Sequence, residues 1–340
     1  MKPVRAAIVG LGRIGSLLEN DPLREKPCTH AGAIAGSGDC VLSAGADTDG
    51  ERRKLFEKTW RCPVYDDARI MLEAHRPDLL CVATHPDSHL FYCELAAQYG
   101  VKTVVCEKPL ADSLEKAEKI AALHEKGKIT VITNHERRYS ADYHAAKTVL
   151  DGGKLGAPLS VRAALYMGKA RRLVDVLWHD GTHLADAAMF LTGAVLKHQK
   201  TWGAELSQRR GTAYLEGRLE FPGNPAKKNT RRTKKIPFLM ELGAERDHLV
   251  FELEFSCERG RLRIGNGIFE VWESVESPYA KMFRSLEKKR EGFPGPTGYF
   301  SNMIKDAASC CLKKNKIPLS KALDGLNVIK YLDSVKPWIG

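Results

Sequence analysis

The chain has 340 residues, of which 43% are hydrophobic and 28% are charged. This length indicates two domains of ordinary size, and this composition is typical of a folded protein and excludes a disordered chain. No apolar run approaches the roughly 18 residues that a membrane span needs. We therefore expect no association with a membrane.

The net charge of +11 is unevenly distributed, because six of the positive residues lie in the run KKNTRRTKK, residues 227–235. Such a run forms either a solvated loop or a docking site for a polyanion. Since no aromatic residue interleaves with it, stacking on bases has no support. We expect no nucleic-acid partner.

The cysteines and the N-terminus indicate the compartment. Nine cysteines form no CxxC pair and no disulfide-like spacing, which favours a reducing environment. The opening stretch MKPVRAAIVGLGRIG resembles a weak signal peptide, but Arg13 and three glycines interrupt its apolar part. The sequence predicts a cytoplasmic protein.

Short apolar runs alternate with amphipathic stretches over the first third of the chain. VRAAIVG, LLCVAT and KTVVCEK are such runs, and DSLEKAEKIAALHEKG is a helical stretch among them. Strands that are apolar on both faces and separated by helices indicate a parallel sheet covered on both sides. The sequence predicts an α/β fold whose N-terminal domain, residues 1–133, is a doubly wound Rossmann sheet.

Longer alternating strands follow in residues 134–340. In HLVFELEFS, the apolar residues Leu249, Phe251, Leu253 and Phe255 share one face. This pattern predicts a C-terminal α/β domain for substrate binding and oligomerisation, with a large, mostly antiparallel, open-faced sheet. We expect a homo-oligomer, either a dimer or a tetramer.

A glycine motif, VGLGRIG, follows the first predicted strand directly. In this context glycine allows a tight turn and lets a pyrophosphate approach the main-chain amides, which indicates dinucleotide binding; a bare tight turn is the alternative. The predicted cofactor contacts in this motif are Gly10, Gly12, Arg13, Ile14 and Gly15.

The next strand ends at Asp47, whose carboxylate suits the ribose hydroxyls of the adenosine half and repels a 2′-phosphate. A helix N-cap is the alternative role for Asp47, and both roles can coexist. Neutral Thr48 favours NAD over NADP, whereas Arg52 and Arg53 at the following helix start favour NADP. The expected cofactor is NAD, with NADP not excluded.

A further apolar strand ends in Glu107, Lys108 and Pro109. A lysine at the carboxyl end of a parallel strand points into the crevice where doubly wound sheets bind ligands. Lys108 is therefore either a residue with a chemical role or an ordinary surface lysine.

These elements, in this order and spacing, resemble the glucose-fructose oxidoreductase and inositol dehydrogenase (Gfo/Idh/MocA) family of NAD(P)-dependent oxidoreductases. The resemblance runs from GLGRIG through CVATHPDSHLFYCELAAQYGVKTVVCEKPL and NHERRYSADY to GTHLAD and FLTG. It implies that Lys108 is the catalytic lysine, preceding a cis bond to Pro109, and that His183 faces the substrate. It also implies cofactor contacts from Thr84, Pro86, His89, Glu107 and Lys108.

Two features depart from the family's pattern. The family commonly carries an aspartate four residues before its histidine, where this chain has His179, with Asp180 one residue later. The stretch LLENDPLREKPCTH, residues 17–30, lengthens the connection after the glycine motif. It forms either an edge of the active-site mouth or an uninvolved surface loop.

His179 and His183 share a face if LWHDGTHLAD is an α-helix. The pair fits a metal site, a structural pair, or proton transfer and substrate binding. A metal lacks a third ligand nearby and leaves Lys108 without a role, so we expect none. We predict His183 as the general acid or base and Lys108 as the cation that polarises the reacting oxygen, with these roles shared or exchanged, and His179 as a third catalytic candidate.

The predicted reaction transfers a hydride between nicotinamide and a carbinol carbon of a sugar, cyclitol or related polyol. The alternatives are an NAD-dependent glycoside hydrolase that acts by transient oxidation and a non-catalytic NAD(P)-sensing or scaffold protein. Solvated arginine is the alternative role of Arg138, which follows the last Rossmann strand. The predicted substrate contacts are Lys108, Arg138, Tyr166, His179, Asp180 and His183.

Overall fold

The computed structural model describes residues 2–168, 172–203, 211–222 and 235–339. Residues 227–234 of the basic run lie outside the described residues, as do residues 169–171. The chain divides into two compact units, which are residues 1–141 with 296–329, and residues 142–295 with 330–340. The functional boundary at residue 133 stays a prediction. The same prediction assigned residues 296–329 to the second domain, whereas in the structure these residues pack in the first unit.

The first unit is built on a parallel sheet of six strands in the order β3-β2-β1-β4-β5-β6. Its strands are β1 (Val4–Val9), β2 (Cys40–Ala46), β3 (Val64–Tyr65), β4 (Leu79–Val82), β5 (Thr103–Cys106) and β6 (Thr130–Thr133). The predicted Rossmann sheet is confirmed. The strand order reverses between β1 and β4, and ligands bind at the carboxyl ends of the strands at such a point.

The second unit contains a sheet of eight strands in the order β14-β13-β12-β11-β7-β10-β9-β8. Neighbouring strands are antiparallel except β7 and β10, so the predicted mostly antiparallel sheet is confirmed. Its strands are β7 (Pro158–Tyr166), β8 (Val195–Trp202), β9 (Thr212–Glu220), β10 (Lys235–Gly243), β11 (Val250–Cys257), β12 (Gly260–Gly265), β13 (Ile268–Glu276) and β14 (Arg284–Glu291).

The helices complete both units. In chain order they are α1 (His30–Ala35), α2 (Gly50–Trp60), α3 (Ala68–His75), α4 (His89–Gln98), α5 (Leu114–Glu125), α6 (Ala141–Asp151), α7 (Leu173–Val176), α8 (Thr182–Thr192), α9 (Tyr299–Leu312) and α10 (Ala322–Ile339). A π-helical turn, Leu177–Gly181, lies between α7 and α8, and short 3-10 turns cover Leu17–Asn20, Pro86–Ser88 and Glu136–Tyr139.

Helix α9 explains why residues 296–329 belong to the first unit. Its residues Phe300, Met303, Ile304 and Ala307 recur at helical spacing and are buried in the same core as the sheet strands. The apolar stripe predicts a helix but does not specify which core the stripe covers. This packing therefore differs from the sequence-based division.

One face of the second sheet is buried and the other is open. Phe251, Leu253 and Phe255 are buried, as their alternation predicts, but Leu249 is 53% exposed because β11 begins only at Val250. The opposite face of the sheet is charged: the Arg263 guanidinium lies 2.8 Å from the Glu252 carboxylate and 3.2 Å from that of Glu270.

The first helix of the first unit is interrupted. The N–H groups of His30 and Ala31 donate to the carbonyls of Ile14 and Gly15, at 3.1 and 3.0 Å. Donor and acceptor are sixteen positions apart, where an uninterrupted α-helix has four. Helix α1 therefore resumes the hydrogen-bond ladder that begins in the glycine motif, and twelve residues loop out between its two parts.

The looped-out segment, which lies between the glycine motif and His30 and includes Glu25 and Lys26, is held to the rest of the first unit by hydrogen bonds. The Glu25 carboxylate accepts hydrogen bonds from the Thr297 N–H and hydroxyl, both at 2.8 Å, and from the Gly298 N–H at 2.7 Å. Within the segment, the Lys26 ammonium donates to the Asp21 carbonyl at 2.6 Å. The segment thus joins the first strand connection to the turn that precedes α9.

Candidate active site

The glycine motif forms a tight turn at the carboxyl end of β1. Gly10 has φ +90°, and a Cβ there would lie 2.6 Å from the Ala83 carbonyl oxygen, so only glycine fits. At Gly12 the nearest atoms to such a Cβ belong to the Arg52 guanidinium, at 3.6 Å. The turn is therefore rigid at Gly10 and open above Gly12, which is the space that a pyrophosphate needs.

Asp47 anchors this turn to the end of β2. Its carboxylate accepts hydrogen bonds from the Leu11 N–H at 2.8 Å and from the Asp49 N–H at 2.9 Å. The alternative role of Asp47 as a helix N-cap is wrong, because Asp49 caps α2 by accepting from the N–H groups of Glu51 and Arg52. Asp47 instead lies beside the glycine turn, and its cofactor role stays a prediction.

Glu107 is the centre of a buried polar cluster in the first unit. Its Oε1 lies 2.8 Å from His30 Nε2 and accepts a hydrogen bond from the Asn134 side-chain amide. Burial raises the pKa of Glu107, but the hydrogen bond and charge of His30, the Asn134 amide and the Lys108 charge outweigh it and lower that pKa below its usual range. Glu107 is therefore ionised at neutral pH inside the protein.

Lys108 follows this cluster at the carboxyl end of β5. Its side chain is half-buried, and the bond between Lys108 and Pro109 is cis, as the resemblance implies. Because β1 and β5 belong to one parallel sheet, the glycine turn and Lys108 lie at the same edge of that sheet. The catalytic role of Lys108 stays a prediction, and its place at the carboxyl end of β5 is the observation that bears on it.

The loop after β4 contains the other residues that the resemblance places beside the cofactor. The Ser88 hydroxyl donates to the Thr84 hydroxyl at 2.8 Å, and Pro86 begins the 3-10 turn. His89 is buried, with Nε2 3.1 Å from the Thr84 carbonyl and Nδ1 3.2 Å from the Leu110 carbonyl. Burial lowers the pKa of His89, although both carbonyls partly offset this, and the ring lies between the loop after β4 and the main chain at Leu110.

The Arg138 side chain is buried in contacts within the first unit. Its buried guanidinium lies 3.2 Å from the Asp324 carboxylate and donates to the Leu319 carbonyl at 3.4 Å. A solvated arginine is therefore wrong. The ion pair holds Glu136–Tyr139 to the start of α10, and the substrate role of Arg138 stays a prediction that these contacts do not support.

The histidine motif of the second unit is not a regular α-helix. It contains the π-helical turn Leu177–Gly181, which adds a residue to the turn before His183. The His179 side chain is 65% exposed, whereas that of Asp180 is 17% exposed, and His179 Nδ1 lies 3.0 Å from an Asp180 carboxylate oxygen. Among the described residues, no group of three His, Cys, Asp or Glu side chains could hold a metal.

His183 and Tyr166 lie on different faces of the second sheet. His183 is nearly buried, with its ring centroid 6.3 Å from that of Phe251 on the helix-covered face. Tyr166 alternates with buried Leu165 and lies on the open face, where burial and a hydrogen bond to Glu241 raise its pKa to about 12. The second unit thus does not bring Tyr166 and His183 together.

Sequence reasoning missed His30 and Asn134. His30 comes 77 positions before its partner Glu107, and no local pattern connects the two. The one available signal was its place directly after the looped-out segment, where the interrupted helix resumes.

Comparison with known proteins identifies the first unit. Residues 4–135 match the model of the Gfo/Idh/MocA oxidoreductase family, which has an NAD-binding Rossmann fold. Over these residues the chain is similar to this family. It is 27% identical over 162 residues to a myo-inositol 2-dehydrogenase of Thermotoga maritima, and 26% identical over 204 residues to a D-glucoside 3-dehydrogenase of Escherichia coli.

These alignments cover 47% and 56% of the chain and 44% and 54% of the two relatives, so the chain spans about half the length of the curated relatives it matches. The fold is similar over its whole length to a UDP-N-acetylglucosamine 3-dehydrogenase from Acidithiobacillus ferrooxidans, with TM-score 0.73, 17% identity, and 100% and 98% of the two chains covered. No helix in the described parts is long and apolar enough to cross a membrane.

Proposed function

We propose that this protein is an NAD(P)-dependent oxidoreductase that transfers a hydride between nicotinamide and a carbinol carbon of a small-molecule sugar, cyclitol or related polyol. The observation that carries the proposal is the arrangement of the first unit, where the open glycine turn at β1 and Lys108 at β5 occupy one edge of the sheet. The match of residues 4–135 to the family model supports it.

The residues of the first unit fit a dinucleotide. Gly10 permits the turn, and the open space above Gly12 admits a pyrophosphate to the main chain. In our proposal the carboxylate of Asp47, at the end of β2, accepts a ribose hydroxyl, as a carboxylate there commonly does in Rossmann domains. Arg13, Ile14 and the loop that contains Thr84 and Pro86 complete the proposed cofactor contacts.

The side chains of this chain would handle the proton and the oxygen of the alcohol. Oxidation of a carbinol breaks its C–H and O–H bonds, forms a C=O bond and releases one proton besides the hydride. In our proposal the Lys108 ammonium holds and polarises the reacting oxygen, and the imidazole of His183 accepts the hydroxyl proton. A histidine has an ordinary pKa of about 6.5, which suits general acid-base catalysis near neutral pH.

A substrate screen tests this function. The protein is incubated with NAD⁺ or NADP⁺ and a panel of sugars, uronic acids, cyclitols and nucleotide sugars, and reduction is followed at 340 nm. We expect turnover that Lys108→Ala abolishes and that Lys119→Ala, on the exposed face of α5, retains. Glycoside cleavage without net NADH would contradict the dehydrogenase and support hydrolysis by transient oxidation. Cofactor binding without turnover on any member would instead support a sensing or scaffold protein.

We propose a cytoplasmic homo-oligomer that forms through the open face of the second sheet. That face carries Trp202 stacked on Tyr214, with ring centroids 5.7 Å apart, on β8 and β9, and the ion pairs of Arg263 on β12. Light scattering after gel filtration would give a mass of two or four chains; a mass of one chain would overturn the assembly.

A further inference from the structure

The Glu107 carboxylate is directed into the first unit, although Glu107 is next to Lys108 in the chain. The Glu107 side chain is only 9% exposed. Its Oε1 lies 2.8 Å from His30 Nε2 and accepts a hydrogen bond from the Asn134 amide. Because an ionised carboxylate can only accept hydrogen bonds, Nε2 carries the proton in this contact. Two side-chain donors from other elements thus hold this carboxylate in place.

The His30 ring is fixed in the position that this contact needs. The ring is fully buried and lies edge-on to the Phe300 ring of α9, with centroids 5.3 Å apart and an interplanar angle of 90°. Its other nitrogen, Nδ1, is buried and makes no hydrogen bond to the described residues. Within the part of the chain that the structure describes, the contact with Glu107 is therefore the one polar contact of this imidazole.

The looped-out segment holds the start of the helix that carries His30. The Thr29 hydroxyl donates to the Glu19 carboxylate at 2.7 Å and accepts from the Gly32 N–H at 3.0 Å, which caps α1. His30 is the first residue of that helix. A continuous series of contacts therefore leads from the looped-out segment through His30 to Glu107.

A carboxylate next to Lys108 competes with any substrate for the Lys108 ammonium. Burial raises the pKa of Glu107, but His30, Asn134 and the Lys108 charge together outweigh it and lower that pKa, so the two neighbouring charges attract each other. Without its two donors, the carboxylate would be a buried anion with unmet hydrogen-bonding capacity. An ion pair with Lys108 would then be its nearest compensation, and the ammonium would be withdrawn from the reacting oxygen.

We propose that His30 is a positioning residue for Lys108: by holding the Glu107 carboxylate inside the first unit, its imidazole keeps that carboxylate from pairing with the Lys108 ammonium. The inference rests on the proposed function and adds a residue to it that touches neither substrate nor cofactor. Asn134 assists as the second donor. The looped-out segment contributes by fixing the start of α1.

The chemical reactivity of Lys108 measures this effect without a substrate. The full chain is treated with trinitrobenzenesulfonate, and the rate at which Lys108 is modified is followed by mass spectrometry of its peptides. Only an unprotonated amine attacks this reagent, so an ammonium held in an ion pair reacts more slowly. His30→Leu should lower the rate at Lys108 by at least about threefold, while exposed Lys119 keeps its rate in the same preparation.

Turnover gives a second readout. With a panel member that the natural chain oxidises, His30→Leu should lower kcat by at least about tenfold and leave the NADH affinity within about threefold. The reason is that the lysine acts on the substrate oxygen, whereas the dinucleotide contacts lie elsewhere in the proposed function.

A double variant distinguishes positioning from a general loss of packing. If His30 acts through the carboxylate, adding Glu107→Gln to His30→Leu removes the competing charge and should restore the labelling rate of Lys108 to within about twofold of the natural chain. His30→Gln keeps a donor for Glu107 and should retain the natural rate by itself. Asn134→Leu removes the other donor and should slow the labelling in the same direction, which keeps the test open if His30→Leu does not fold.

Tyr139→Phe is the matched control. It removes a buried hydrogen bond in the same unit, from the Tyr139 hydroxyl to Asp306 at 3.1 Å, without touching Glu107. It should leave the labelling rate of Lys108 and the kcat unchanged, whatever it costs in melting temperature.

Two results would overturn the inference while leaving the proposed function intact. One is a natural labelling rate at Lys108 in the folded variants His30→Leu and Asn134→Leu. The other is a slow rate that persists in the double variant His30→Leu/Glu107→Gln. Full turnover by Lys108→Ala would instead overturn the proposed role of Lys108, and the inference with it, whatever the labelling rates are.

Discussion

His30 Nε2 lies 2.8 Å from Glu107 Oε1, with both side chains inside the first unit. This bond joins the resumed first helix to the residue that precedes Lys108. Removing one partner of a buried pair leaves the other charge or dipole uncompensated. We predict that His30→Leu or Glu107→Leu alone costs about 3–5 kcal/mol of unfolding free energy.

The test is a double-mutant cycle with urea unfolding. The double variant His30→Leu/Glu107→Leu should lose clearly less unfolding free energy than the two single variants together. In the double variant neither the imidazole nor the carboxylate remains buried without the other. His30→Gln is the control, since its amide can still donate to Glu107. Strict additivity of the two leucine variants would show that the pair does not act as a unit.

A second prediction concerns acid stability and the Glu25 contact. Burial raises the pKa of Glu25, but hydrogen bonds from the main chain of Gly298 and Thr297 and from the Thr297 hydroxyl outweigh it and lower that pKa below its ordinary value of 4.5. A carboxyl whose pKa is lowered by folding stabilises the fold above its unfolded pKa, and this contribution is lost as pH falls through the folded pKa.

Glu25→Gln should therefore cost about 1–2 kcal/mol at pH 7. The difference between the natural chain and Glu25→Gln should shrink as pH falls below about 4.5. Thermal unfolding at several pH values measures it, and Arg24→Gln in the same segment serves as the control. A pH-independent difference would mean that Glu25 acts without its charge.

A third prediction separates catalysis from cofactor binding at Lys108. Lys108→Ala should lower kcat by about 10²–10⁴, the usual contribution of general acid-base groups, and change NADH affinity little. The reason is that the lysine acts on the substrate oxygen in the proposed mechanism. Stopped-flow kinetics and NADH titration of the same preparation measure both quantities, and a near-normal kcat would refute the assignment.

A fourth prediction distinguishes Asp180 from His179 in the π-helical turn. Because the Asp180 side chain is mostly buried and the His179 ring is mostly exposed, Asp180→Asn should lower kcat/KM by about tenfold or more, and His179→Gln by less than about threefold. Both variants are close in size to the natural residue. The opposite ranking would support the catalytic role of His179 that is predicted from the sequence.

The Rossmann sheet could be predicted from sequence because its strands are continuously apolar and its glycine turn is a local signal. The packing of α9 in the first unit could not, since an apolar stripe such as Phe300 and Met303 fits any core. Contacts between residues far apart in the sequence could not be predicted either, because no local pattern connects such residues. The ion pair of Arg138 and Asp324 is an example. The π-helical turn before His183 interrupts the regular helical spacing from which a shared face for the two histidines was inferred.

The most direct test of a dinucleotide at the glycine turn is a titration of Gly12→Val with NADH. Beyond its chain neighbours, a Cβ at Gly12 has only the Arg52 guanidinium among the described residues within 4 Å, at 3.6 Å, so the fold should survive while the approach of the pyrophosphate is blocked. Gly38→Val is the control, because Gly38 precedes the amino end of β2 and a Cβ there would have no atom of the described residues within 4 Å beyond its chain neighbours. We predict that Gly12→Val binds NADH at least about tenfold more weakly than the natural chain and Gly38→Val. Equal NADH affinity in all three proteins would contradict the account.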